Sequence, residues 1–176
     1  MSLMKNNNII LMGFMGVGKG SLARELVKQT DRVAIDTDDI IESMQNTSIK
    51  KIFEKDGEKF FRKTEKKVSK WLEDSVQNSI ISIGGGFFQV GNLQKIGHVV
   101  YLESSFENIL KRINSFDNAK NKLKKRPLLQ DMKKAKALLE ERHPLYKAQS
   151  DTVISTAGKS SKELAKEIIK NLNIKK

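Results

Sequence analysis

Seven residues near the start of the chain, Gly13-Phe14-Met15-Gly16-Val17-Gly18-Lys19, fit the pattern G-x-x-x-x-G-K. Between a strand and a helix, such a loop binds phosphate. Its glycines let backbone N–H groups turn inward, the helix N-terminus adds partial positive charge, and the lysine reaches the β- and γ-phosphates as a point charge. The apolar run from Asn8 to Met12 precedes the loop, and Leu22, Leu26 and Val27 follow at helical spacing, so the context is met. The plain alternative is a glycine-rich turn with an incidental lysine. One position departs from the pattern, which calls for Ser or Thr directly after the lysine because that hydroxyl ligates Mg²⁺. Gly20 stands there and Ser21 follows. Gly20 offers no ligand, and it weakens the first helical turn by up to about 1 kcal/mol relative to alanine. Either water replaces the ligand, Ser21 shifts into the role, or metal binding is impaired.

Other residues could serve a second substrate. Asp36-Thr37-Asp38-Asp39 follows an apolar run, and carboxylates at i and i+2 can divide labour. Asp36 could hold a metal's water shell while Asp38 accepts the proton of an attacking hydroxyl. Alternatively, Asp38 caps the helix that begins before Ile40 and Ile41. In Phe61-Arg62-Lys63-Thr64-Glu65, Arg62 and Glu65 lie one helical turn apart. They read either as a surface ion pair or, for Arg62, as a bidentate clamp on a carboxylate. Gly84-Gly85-Gly86 after a strand lets a ligand approach the backbone closely. Arg126-Pro127-Leu128-Leu129 follows a basic stretch, and Arg142 shares a helix face with Tyr146. By itself Arg142 would be an ion-pair partner. His98 and His143 lack metal-ligand spacing and are expected to be non-catalytic. With no cysteine, the chain has no disulfide, thiolate metal site or cysteine nucleophile, which fits a reducing compartment.

These residues need a scaffold. Short apolar runs at Asn8–Met12, Val33–Ile35, Ser79–Ile83, His98–Leu102 and Thr152–Ile154 read as strands. Helical spacing appears over about Lys19–Gln29, around Ile40 to Met44, behind Ser48, from Phe60 to Leu72, from Phe106 to Ile113, from Ala135 to Tyr146 and from Leu164 to Leu172. Strands that are unbroken apolar runs alternating with helices belong to a parallel sheet covered on both faces. The expectation is a single α/β domain over residues 1–176, a length that carries a real core. Met1 to Leu3 precede a second methionine and are set aside as a possible expression scar. No apolar run approaches the roughly 20 residues that cross a bilayer, and no secretory pattern is evident, so neither a membrane nor export is expected.

Lys and Arg number 33 and Asp and Glu 21, a net charge of +12 that asks for an anionic partner. Half of it lies between Lys111 and Arg126, where seven basic residues stand against Asp117 alone. Such a run is a solvated loop or a mobile clamp over an anion. A nucleic-acid-binding module is the different-class alternative. Against it, aromatic content is 6% and no aromatic-interleaved basic strand is present.

Taken in order from residue 13 to residue 146, these segments resemble the shikimate kinase family, small P-loop kinases of the nucleoside-monophosphate-kinase-like group. The resemblance implies transfer of the ATP γ-phosphate to the 3-hydroxyl of shikimate with Mg²⁺, on the route to chorismate and the aromatic amino acids. It implies a three-layer α/β/α fold with sheet order 2-3-1-4-5, a shikimate-binding helical region over about 38–73 and a mobile lid over about 115–127. It assigns ATP to Gly16, Val17, Gly18, Lys19, Gly20 and Ser21, with Arg112 against adenine and Ser155 to Lys159 in the position of an adenine loop. Lys19, Asp38 and Arg126 would be catalytic: Lys19 on the phosphates, Asp38 as base and ligand of the shikimate hydroxyls, Arg126 on the transferring phosphate. Arg62 and Arg142 would clamp the shikimate carboxylate, Glu65 would buttress Arg62, and Gly84, Gly85 and Gly86 would line the acid site. Asp36, through water, and Ser21 would serve the metal. A cytoplasmic monomer that binds neither nucleic acid nor membrane is expected. Gly20 keeps a degenerate or metal-altered kinase as the alternative.

Overall fold

A computed structural model describes residues 5–116, 129 and 131–174. Five strands, β1 (Ile9–Met12), β2 (Val33–Asp36), β3 (Ser79–Ser82), β4 (His98–Glu103) and β5 (Thr152–Ser155), form one parallel sheet in the order β2-β3-β1-β4-β5. Every residue of β1 and β3 is buried. Successive side chains on a strand point to opposite faces, so both faces are covered, as the unbroken apolar runs predict. The edge strands are more open, with Val33 on β2 71% exposed. No helix among the described residues is long and apolar enough to cross a membrane.

The helices are α1 (Lys19–Gln29), α2 (Thr37–Gln45), α3 (Ile49–Lys55), α4 (Gly57–Ser75), α5 (Leu93–Ile96), α6 (Phe106–Asn114), α7 (Met132–Gln149) and α8 (Ser161–Asn171). On α4 the buried residues Phe61, Thr64, Glu65, Val68, Ser69 and Leu72 recur every three or four positions, which fixes the inward face. Ser48, Ser105, Asp131 and Ser160 cap α3, α6, α7 and α8 by accepting from first-turn amides. Helix α1 packs on α8 and on β1, β2 and β3, while α5 and α7 pack on β4.

Two local differences from the sequence expectation stand out. The first strand starts at Ile9, one residue later than expected, and Asn8 ahead of it is fully buried with its side chain bonded to other segments. The 3₁₀ turn Phe87–Val90 and the short α5 fill the link between β3 and β4, where no regular element was expected.

Candidate active site

The order β3-β1-β4 puts the sheet's switch point at the carboxyl end of β1, where ligands of open α/β sheets bind. The chain leaves β1 at Met12 and enters α1 at Lys19. Between them Gly16 and Gly18 adopt φ of +81° and +112°, which a side chain would strain. A Cβ at Gly16 would lie 2.7 Å from Ile113 Cδ1, and one at Gly18 would lie 2.8 Å from Arg112 Nε. Helix α6 thus roofs the loop, and both glycines are needed for its backbone shape. Lys19 Nζ donates to the carbonyls of Gly13 at 2.6 Å and Phe14 at 3.2 Å, which holds the ammonium over the loop. At Gly20 an added Cβ would meet only Arg24 Nη1, at 3.7 Å. Nothing in the packing demands glycine there. The Ser21 hydroxyl accepts from Arg24 Nη2 at 3.4 Å.

Beside the loop, β2 delivers the carboxylates. Asp36 caps α2, its Oδ1 accepting from the amides of Asp38 at 2.9 Å and Asp39 at 3.4 Å. Capping therefore falls on Asp36 and not, as the bland sequence reading had it, on Asp38. Asp38 is left to point at Gly84, where an added Cβ would come within 3.2 Å of its Cγ. Burial, then the neighbouring charge of Asp36, pushes the Asp38 carboxyl up to about 6, against the opposing pull of Lys19.

The glycines after β3 face one charged side chain each. Gly84 faces Asp38, and a Cβ at Gly85 would sit 3.1 Å from Arg142 Nη1. One at Gly86 would meet Arg62 Nη2 at 2.8 Å. Side chains on α2, α4 and α7 thereby converge on three consecutive residues. Arg62 donates to Glu65 at 2.7 Å and to Glu58 at 3.1 Å, and Glu65 is buried, so this is no surface pair. Burial alone would lower the Arg62 pKa, but the bonds and charges of Glu65 and Glu58 outweigh it and raise it. Burial raises the Glu65 pKa against the pull of Arg62.

Lys19, Asp38, Glu58, Arg62, Gly84, Gly85 and Arg142 open onto one cleft of about 1240 Å³, which also takes in Gly16, Gly18, Ser21, Asp36 and Arg112, while Glu65 and Gly86 are buried behind them. Val17, within the loop, is buried and does not line the cleft. Phe53, at the cleft edge on α3, stacks tilted on Phe61 with centroids 4.7 Å apart. The guanidinium of Arg112 lies 5.2 Å from the Phe116 ring centroid. Arg126 and nearly all of the expected lid lie outside the described residues. The expected adenine loop does not line this cleft. Its Ser155 and Ala157 border a separate hollow of about 650 Å³ with Glu103 and His143. His98 bonds Thr152 Oγ1 at 2.8 Å and His143 bonds the Tyr101 hydroxyl at 2.9 Å, and neither lines the cleft. Sequence reasoning missed Glu58, the second partner of Arg62, although its i, i+4 spacing announced it. It also missed Arg24, and it missed that Tyr146 bonds Gly85.

Three comparisons bear on this arrangement. The family model described as shikimate kinase matches residues 15–173. Among curated proteins, the chain is 41% identical over 162 residues to the shikimate kinase of Helicobacter hepaticus, covering 92% of this chain and 93% of the relative. It is 39% identical over 170 residues to that of Dehalococcoides mccartyi, covering 92% and 91%. Among solved structures, shikimate kinase from Acinetobacter baumannii in complex with shikimate superposes with a TM-score of 0.80 at 32% identity, covering 97% of this chain and 94% of the other. The Aquifex aeolicus shikimate kinase does so with a TM-score of 0.75 at 34% identity, covering 94% and 96%.

Proposed function

The chain belongs to the shikimate kinase family, and on that premise we propose how its cleft transfers the ATP γ-phosphate to the 3-hydroxyl of shikimate. The observation that carries this reading is the convergence of Asp38, Arg142 and Arg62 on three successive glycines beside a phosphate loop. Arg62 and Arg142 present two guanidinium groups to the carboxylate of the acid, and Glu65 and Glu58 hold Arg62 in position. Gly84 to Gly86, having no side chains, let the ring lie against the backbone. Asp38 takes the proton of the attacking hydroxyl. That oxygen forms the bond to Pγ as the bond from Pγ to the β–γ bridging oxygen breaks, and ADP leaves. Lys19 and the loop amides balance the charge on the phosphates, which is most of what phosphoryl transfer asks of a protein. We assign Arg112 to the nucleotide and Arg126 to the transferring phosphate. The whole chain is read as one kinase unit, a monomer working in the cytoplasm on ATP and shikimate.

The fit to Mg²⁺ is partial. Asp36 commits Oδ1 to the α2 cap and keeps Oδ2 clear of donors among the described residues, which suits a water of the ion's shell. Ser21 has a hydroxyl to offer, and Gly20 has nothing. When bound with ATP, the ion supplies charge neutralisation between the phosphates. The Gly20 vacancy favours, as a second reading, a kinase with an altered metal requirement. Release of ADP from ATP, with and without shikimate and across Mg²⁺ and Mn²⁺ concentrations, tests both. Shikimate-dependent turnover is expected. Shikimate binding without turnover at any metal level would point to a degenerate phosphate loop, and neither binding nor turnover would remove shikimate as substrate.

A further inference from the structure

The glycines after β3 carry six backbone polar groups, and the protein holds four. The Gly84 N–H donates to Thr37 Oγ1 at 3.1 Å, and the Gly84 carbonyl accepts from the Phe87 amide at 3.0 Å. The Gly86 carbonyl accepts from the Gln89 amide at 3.2 Å, and the Gly85 carbonyl from the Tyr146 hydroxyl at 2.6 Å. The N–H groups of Gly85 and Gly86 have no acceptor among the described residues.

The Gly85 carbonyl and the Gly86 N–H belong to one planar trans peptide, so they point in opposite directions. Whatever fixes the first aims the second. Between two glycines no Cβ resists a half-turn of that peptide, so the partner of the carbonyl decides where the N–H faces. Tyr146 is fully buried, edge-on to Phe88 and tilted against Tyr101, both at 5.2 Å between centroids. Its ring cannot follow a flipped peptide. It also stands one turn after Arg142 on α7, so one helix sets both a guanidinium and the backbone beneath it.

We propose that Tyr146 is a positioning residue: by holding the Gly85 carbonyl, its hydroxyl aims the Gly86 N–H into the acid-binding side of the cleft beside Arg62. The identity of the acid rests on the shikimate kinase reading, whereas the orientation of the peptide does not. Tyr146 touches no reacting atom; its hydroxyl also interacts with the Arg142 side chain, so the Gly86 resonance rather than affinity alone reports the backbone role.

Tyr146→Phe keeps the ring and removes the donor. In protein labelled with ¹⁵N-glycine, the Gly86 amide resonance of the free variant should move away from its wild-type position. Shikimate should bind about tenfold more weakly, equivalent to about 1.4 kcal/mol, with ATP affinity changed less than twofold. Installing 4-aminophenylalanine at position 146 returns an N–H donor and should restore both. If Tyr146→Phe does not fold, 3-fluorotyrosine at position 146 alters donor strength at nearly constant shape and should shift the same resonance. An unmoved Gly86 resonance, or shikimate and ATP affinities falling by the same factor, would overturn the proposal. If the wild type fails to bind shikimate, the substrate reading fails, and the free-protein resonance still decides the orientation of the peptide.

Discussion

As the proposed base, Asp38 must be buried to meet its substrate and charged to take a proton, and the two demands conflict. Its carboxyl, ordinarily near 3.8, is pushed up to about 6 by burial and then by Asp36. The folded protein therefore holds that proton more tightly than the unfolded chain does. The associated stability is complete below about 3.8 and is lost as pH rises through about 6. Two pH units correspond to about 3 kcal/mol. Asp38→Asn removes the charge, so relative to wild type it should gain up to about 3 kcal/mol more at pH 8 than at pH 4, while turnover is abolished. Urea midpoints of the nucleotide-free proteins at the two pH values check this, and a pH-independent difference would contradict it. Gly20 poses the opposite case, a position where function lacks a group and stability does too. Its surroundings accept a side chain, so Gly20→Ser should raise stability by about 0.5 kcal/mol, one or two degrees in Tm. It should also lower several-fold the Mg²⁺ concentration that half-saturates ADP binding, measured by calorimetric titration. An unchanged requirement would mean that water or Ser21 already fills the place.

Elements divide the sheet into a working end and a fastening end. The carboxyl ends of β1, β2 and β3 open onto the cleft, while Asn8 ties the opposite end together. Its amide donates to the carbonyls of Val76 at 2.7 Å and Ile96 at 2.9 Å, and its carbonyl oxygen accepts from the Ser79 amide at 2.9 Å. One buried side chain thus joins the starts of β1, β3 and β4. Asn8→Ala leaves three buried backbone groups without partners, each worth about 1 kcal/mol or more. We expect a loss of about 3–5 kcal/mol with little change in the shikimate KM of the folded fraction, read from denaturant melts beside kinetics. Loss below about 1 kcal/mol would show water taking over the bonds. This clasp also marks the limit of what the chain announces. Strands and helices were legible because apolar spacing is local, and the phosphate loop because its glycines and lysine are contiguous. Asn8 reads as the start of a strand, and Tyr146 as one more apolar position on α7. Their partners lie 68 to 88 and 61 residues away respectively, and no local pattern encodes such a choice. The cap on α2 was misassigned between Asp36 and Asp38 because both carboxylates suit the position and only the exact end of β2 decides.

At the scale of the molecule, charge and site are only loosely connected. Among the described residues, six Lys or Arg and five Asp or Glu side chains line the cleft, in a protein of net charge +12. The described part of the cleft is nearly neutral, so if the surplus charge serves the anionic substrates it does so largely from outside that lining. Such a field raises the local concentration of anions and is screened over about 10 Å at 0.1 M salt, while buried close contacts such as Arg62 with Glu65 are screened far less. Raising potassium chloride from about 0.05 to about 0.5 M should therefore increase both KM values, several-fold for ATP and less for the singly charged acid, with kcat within about twofold. Arg62→Ala should behave differently, raising the shikimate KM about tenfold or more at every salt concentration and leaving that for ATP nearly unchanged. If salt leaves both KM values untouched, the surplus charge does not serve the substrates. Random-sequence DNA binding at about 0.15 M salt would then test the remaining anionic partner. Dissociation constants of about 10⁻⁴ M or tighter would revive a role on nucleic acid, and weaker binding would leave the charge to solubility alone.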